Sequence, residues 1–512
     1  MACIGSQELS PSVFRAIESS LDLSHFDCPL LPNLSELTFK QDVGGISLRD
    51  VCIFLGPRLK MLHLSIPIIV DCLGTFAEGL KAKCPTIENL YISSGYRREE
   101  WVNRAVLDII CSLSSLWAVS WDSTFDSQTL KYLSSLPLWS LNVRLPQEFT
   151  QGGCVDASSN IPPFLAMRHL HISVASIANA GQFLQATSSS FGLEPLSITF
   201  DGIVPNPEQL HTVLTVIQQS SFCDALTTFA LRDCVHSDEE TTPSHSLDAH
   251  TLSPLLQCRN LEHITINISY GYAAIDNSIL EGMASVWPCL CYLTLHSYCH
   301  ARLWHSKANF QGLIFLAQHC HALQSVSLQF DLSLPATTMD PDQRIHCESL
   351  TQLSVSYSHV FDPLAVATFL ANVFPNLRLH HNYFIRTTTL GPRMLWSDLE
   401  DPLREYEQSP EFIEMAKCWK DVDQMLTVRR LEMSQLPTNT DVCIQSSKIK
   451  MIPQEISSAI SKPSLTNCDT ETQQRWWGKL LYATMLQKSD SWFMSTCMCM
   501  YLYSNLLPRT RV

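Results

Sequence analysis

Apolar positions recur along this chain in one arrangement, L-x-x-L-x-L, with Ile, Val, Met, Phe or Trp able to replace Leu. It fits at Leu34/Leu37/Phe39, Leu59/Leu62/Leu64, Ile87/Leu90/Ile92, Leu116/Val119/Trp121, Leu138/Leu141/Val143 and Met167/Leu170/Ile172. It continues at Leu193/Leu196/Ile198, Leu226/Phe229/Leu231, Leu261/Ile264/Ile266, Leu290/Leu293/Leu295, Leu323/Val326/Leu328 and Leu350/Leu353/Val355, and a degenerate copy starts at Phe374. Spacings between copies run from 22 residues (Leu116 to Leu138) to 35 (Leu226 to Leu261). Leucine-rich repeats run about 20–29 residues, so these copies are long and irregular.

The alternation predicts a short strand in each copy. In "ENLYIS", Leu90 and Ile92 point inward, and Asn89, Tyr91 and Ser93 outward. "RHLHIS" sends His169, His171 and Ser173 outward, and "EHITIN" sends His263, Thr265 and Asn267. Strands buried on both faces read as continuous apolar runs. Alternation therefore argues against a barrel or a doubly wound sheet. It predicts one sheet face packed on helices and the other open.

Helical spacing fills the gaps, as in "SLRDVCIFL", "VNRAVLDIICSL", "PEQLHTVLTVIQQS", "NFQGLIFLAQHC" and "DPLAVATFLANVF". Asp, Asn or Ser often precedes the pattern, as an N-cap would. Asn206 before Pro207 and Glu208 reads as a cap with proline at the first helical position. The fold class is thus α/β: a leucine-rich-repeat solenoid, or horseshoe, of about 12–13 irregular strand-helix repeats with a helical C-terminal cap. The domain limits expected are 1–29 for an N-terminal linker or cap helix, 30–383 for the solenoid, 384–436 for the cap and 437–512 for a disordered tail with a short apolar end.

Five copies carry a cysteine three residues before the first motif position: Cys84, Cys223, Cys258, Cys320 and Cys347. Pro32, Pro57, Pro85, Pro288 and Pro375 stand two residues before it. Small thiols suit the place where a helix end turns into a strand, and proline suits a stopped helix. Packing is the expected role of these cysteines.

The 512 residues are 46% hydrophobic and 16% charged, and 34 basic against 49 acidic residues leave a net charge of −15. Such a surface has no general attraction to phosphate backbones or anionic membranes, so no nucleic-acid partner is expected. The start, "MACIGSQELSPSVFRAI", does not read as a signal peptide, and the 20 scattered cysteines read as reduced thiols of a cytoplasmic or nuclear protein. The uncharged stretch Ser491 to Pro508 is short for a membrane span, which needs about 20 apolar residues. No membrane partner is expected.

Enzyme motifs are absent: there is no G-x-S-x-G, G-x-x-x-x-G-K-[ST], H-E-x-x-H or G-x-G-x-x-G. "YGYAAID" near Gly271 is too poor in glycine to cradle a phosphate. "HCH" at His319–His321, "CMC" at Cys497–Cys499 and His380–His381 lack the partners of a zinc site. No catalytic residue, cofactor or metal is expected. The candidate surface is the concave face, where His63, Tyr91, Asn142, Arg144, His169, His171, Arg232, His263, Tyr292 and His296 should face outward. Aromatics and arginine anchor interfaces, and solenoids use this face for extended protein contacts.

"LLPNLSELTF", "LGPRLKMLHLSI", "KCPTIENLYIS" and "HCHALQSVSL" resemble the repeats of fungal F-box/leucine-rich-repeat proteins, over about Leu9 to Met433. "SPEFIEMAKCWKDVDQML" resembles the helical end of those chains. The resemblance implies a substrate receptor of a cullin-RING ubiquitin ligase. In such a receptor an F-box binds the Skp-type adaptor and the repeats hold an unknown protein substrate. Only 29 residues precede Leu30. "LSPSVFRAIESSL" therefore reads as the linker helix after an F-box, and a complete F-box is expected to be missing or truncated. The adaptor is a partner only where an F-box is present. The alternatives are a stand-alone repeat protein with no ligase role, or the product of a truncated or miscalled gene.

Overall fold

The computed structural model of the chain describes residues 29, 31–40, 48–65, 73–93, 100–149, 164–187, 192–202, 204–233, 245–268, 270–272, 274–296, 306–332, 345–355, 358–379 and 410–435. The chain divides into two units, Met1–Pro437 and Thr438–Val512, and every described residue belongs to the first. The Leu9–Leu21 segment, most of the acidic loop from His236, His380–His381, the tail and Cys497–Cys499 lie outside the described residues.

Fifteen strands are present among the described residues. They are β1 (Glu36–Lys40), β2 (Met61–Ser65), β3 (Asn89–Ser93), β4 (Ala118–Thr124), β5 (Ser140–Arg144), β6 (His169–Val174), β7 (Pro195–Phe200) and β8 (Thr228–Asp233). After them come β9 (His263–Asn267), β10 (Tyr292–His296), β11 (Ser325–Leu328), β12 (Asp331–Leu332), β13 (Gln352–Ser354), β14 (His359–Val360) and β15 (Arg378–Leu379). Thirteen of them form one parallel sheet whose spatial order is the order of the chain; β12 and β14 pair separately. Parallel neighbours need a crossover connection. The described helices between the strands pack on one another in chain order, which makes this the α/β solenoid that the alternation predicts.

The register puts like motif positions side by side. Leu37 pairs with Leu62, Leu62 with Leu90 and Leu90 with Val119. Leu293 lies between Ile264 and Val326. These side chains are buried except Leu37 at the first strand, which is half-buried. A second row, Leu64, Ile92, Trp121, Val143, Ile172 and onward, is buried likewise. Each repeat thus adds two or three apolar side chains to a core shared with both neighbours.

The helices close that core from one side. They are α1 (Leu73–Lys83), α2 (Glu100–Ser112), α3 (Ser127–Ser134), α4 (Ile177–Thr187), α5 (Pro207–Gln219), α6 (Asn277–Val286), α7 (Phe310–His319) and α8 (Pro363–Val373). The caps follow the sequence. Asp126, Asp248, Asp276, Asn309 and Asp362 each accept a backbone N–H with a side-chain oxygen. Asn206 forms a full capping box on α5: its Oδ1 accepts from Gln209 N at 2.8 Å, and Gln209 Oε1 accepts from Asn206 N at 2.9 Å. "SLRDVCIFL" is less regular than its pattern predicts. It forms only a four-residue helix, Leu48–Val51, followed by a 3-10 turn.

Cys84, Cys223, Cys258, Cys320 and Cys347 are all buried, the first four where a helical segment gives way to a strand. After β15, helix α9 (Pro410–Gln435) lies on α8. Met415, Trp419, Val422 and Leu426 recur at spacings of four and three and form its buried seam.

The open face of the sheet as a candidate interface

At the N-terminal end of most strands of the sheet one carbonyl accepts two N–H groups from the next repeat. Ser35 O takes Lys60 N and Met61 N at 2.9 and 3.0 Å, Lys60 O takes Glu88 N and Asn89 N, and Glu88 O takes Trp117 N and Ala118 N. The same rung recurs to Thr351 O, which accepts Arg378 N at 2.8 Å. This ladder holds the outward side chains in rows across the sheet, spaced by the strand separation of about 4.8 Å. Side chains one repeat apart are therefore stacking neighbours.

Three aromatic pairs exploit that spacing. His63 stacks on Tyr91 with ring centroids 4.2 Å apart, and His263 stacks on Tyr292 at 4.6 Å. His169 lies against Trp139 at 4.1 Å. The Tyr292 hydroxyl donates to Gln324 Oε1 at 2.7 Å, which ties β10 to the following repeat. Asn142 donates its amide to Ser120 Oγ at 3.0 Å across β4 and β5. Arg144 forms an ion pair with Asp201, just past β7. Arg232 is exposed. His296 ends β10 opposite Asn267, and its side chain lies outside the described residues.

The ten predicted residues thus all occupy outward register positions, but they do not make one patch. His63 and Tyr91 stand on β2 and β3; Asn142, Arg144, His169 and His171 on β5 and β6; His263 and Tyr292 on β9 and β10. Between the second and third groups the rows hold small residues, among them Ser197 on β7 and Ala230 on β8. One outward assignment needs correcting. Asn267 occupies an outward register position but is only 5% exposed, closed in between Arg232 and His296 in the register.

Burial sets the charge of this face. It pushes His169 down to about 4. His171 is lowered by burial first and by the Arg232 charge second. His263 is lowered by burial, against an opposing pull from Glu262. These three histidines are therefore neutral at pH 7, and each can both donate and accept. Ser173 Oγ lies 3.4 Å from His171 Nε2, but the charge of Arg232 disfavours the imidazolium that a general base must become. Among the described residues no group of three His, Cys, Asp or Glu could hold a metal ion, and no helix is long and apolar enough to cross a membrane.

Sequence reasoning missed the N-terminal rim of the sheet. Trp117, 55% exposed, and Trp139 occupy adjacent rungs there, followed by Arg168, which lies 3.7 Å from Glu194. The signal was present. All occupy the residue just after the first motif position, a place that strict alternation ignores.

No protein-family model matches the chain, and no curated protein does. Among solved structures, the crystal structure of the Rad7 and Elc1 complex in yeast matches over 68% of this chain and 75% of that one, at 15% identity and a TM-score of 0.39. A likeness this slight adds no argument about function to the geometry above.

Proposed function

We propose that this chain is a protein-interaction scaffold that holds an extended protein partner along the open face of its sheet. The observation that carries this reading is the ladder of outward rows, with aromatic pairs set on neighbouring repeats. Rigid aromatic side chains contribute contact area at low entropic cost, and they are the residues on which binding energy concentrates. The sheet runs unbroken over thirteen strands, and His169, His171 and His263 on its open face are neutral. It suits recognition by shape and hydrogen bonds.

The repeats' resemblance to F-box receptors supports a finer reading, the substrate-holding part of a ubiquitin ligase joined to a Skp-type adaptor. A stand-alone scaffold is the alternative. Photo-crosslinking separates surface from surface. A crosslinking side chain placed at Tyr91 or Tyr292 should capture the partner, and one at Glu78 or Glu281 on the helical side should not. Capture from the helical side alone overturns the scaffold reading. Co-elution with purified adaptor supports the ligase reading, and its absence alongside sheet-face capture supports the stand-alone one.

A further inference from the structure

The last repeats carry a cavity of about 460 Å³, lined by Thr351, Gln352, Asn376, Arg378 and Arg430. It lies where β13 and β15 meet the C-terminal half of α9. Its two arginines come from elements 52 residues apart (430 − 378 = 52). Among its described lining residues there is no carboxylate, although acidic residues outnumber basic ones by 15 in the whole chain. Three ion pairs elsewhere among the described residues, Lys60–Glu88, Arg144–Asp201 and Arg168–Glu194, set a carboxylate against a cation. Arg378 and Arg430 form no ion pair with any described residue.

The walls are held in place. Arg430 donates Nε to Leu426 O at 3.2 Å and Nη2 to Thr427 Oγ1 at 3.1 Å, both on its own helix. Thr351 Oγ1 donates to Gln324 O at 3.3 Å, and Asn376 Nδ2 to Glu348 O at 3.0 Å. Arg378 sits on the register partner of Gln352, its backbone fixed by the final rung of the carbonyl ladder. Two planar guanidiniums on one cavity, with amides beside them, form a donor set suited to a tetrahedral dianion. A single carboxylate would satisfy one fork and leave the other charge unmatched.

We propose that this cavity binds a phosphoryl group. The group arrives either as free phosphate or as a phosphorylated side chain, and the volume leaves room for a carrier. The proposal is independent of what the sheet face holds. Calorimetric titration of the full chain with inorganic phosphate, and with N-acetyl phosphoserine amide, tests it against sodium chloride at equal ionic strength. Saturable binding is expected. Arg378→Gln and Arg430→Gln should each weaken it about tenfold or more, and Arg378→Lys should weaken it less than Arg378→Gln. Arg378 is exposed, so its variants should leave the melting temperature unchanged and decide the matter even where Arg430→Gln loosens α9. Tighter binding of the phosphoserine amide identifies a phosphorylated side chain as ligand; equal or tighter binding of phosphate identifies the free anion. Heat no larger than that of chloride, or binding untouched by Arg378→Gln, overturns the proposal.

Discussion

Trp419 donates its indole N–H to the carbonyl of Ser358 at 2.8 Å, across 61 residues of chain. The Ser358 hydroxyl in turn accepts Phe330 N at 2.7 Å and donates to Val355 O. One buried serine thus ties α9 to the residues that follow β11 and β13. Trp419→Ala should cost about 3–5 kcal/mol through the lost volume. Trp419→Phe should cost less, about 1–3 kcal/mol, because it keeps most of the bulk but leaves a buried carbonyl unpaired. Urea unfolding measures both. Hydrogen exchange should show the loss concentrated in α8, and uniform loss over β2 to β7 would contradict the role given to this contact.

Leu293 and Thr294 test the register. Leu293 is fully buried between Ile264 and Val326, whereas Thr294 is half-buried on the open face. Leu293→Asp should cost about 3–5 kcal/mol, since it leaves a charge unpaired in the core. Thr294→Ala should stay within about 0.5 kcal/mol of the parent. Comparable midpoints for the two variants in chemical denaturation would mean that the strand is turned the other way.

His169 predicts a pH dependence. Its folded pKa of about 4 is below its ordinary value of 6.5. The unfolded chain therefore binds more protons than the folded one between those values, and stability falls as pH drops from 6.5 toward 4. Below 4 the loss from this group is complete. His171 and His263 shift in the same direction and add to the slope. Melting temperatures across pH 4 to 7 should decline more steeply for the parent than for His169→Gln. Parallel curves would show that the imidazole is not held neutral.

Three of the repeat cysteines, Cys84, Cys258 and Cys320, should be chemically silent. Burial pushes Cys84 up to about 11 and Cys320 up to about 12, while Cys289 is exposed. Thiolate is the reactive form. At pH 8 a maleimide should modify Cys289 in the native chain and reach Cys84, Cys258 and Cys320 only after denaturation, as peptide mapping would reveal. Rapid native labelling of Cys320 would show that the junction between helix and strand opens.

The core of this fold was legible because its rule is local. Val119 and Trp121 can be assigned inward from two residues on either side, and the register then places them automatically. Caps such as Asn206 are equally local. The open face was legible only by position. Nothing near Arg144 in sequence announces Asp201, and nothing near Asn267 announces its burial, since both depend on neighbours one or more repeats away. Arg378 and Arg430 were out of reach for the same reason: one stands in a degenerate repeat and the other on a helix after it. Trp117 and Trp139 were overlooked because the motif treats their column as spacer.

The strand order has a mechanical consequence. Among the described residues each strand of the large sheet pairs only with the strands before and after it, and none returns to lock the array. Tension applied between Glu36 and Gln435 would load these rungs in series. The solenoid should lengthen in small steps, shedding a repeat at a time from whichever end is weaker, and should rewind in the reverse order when released.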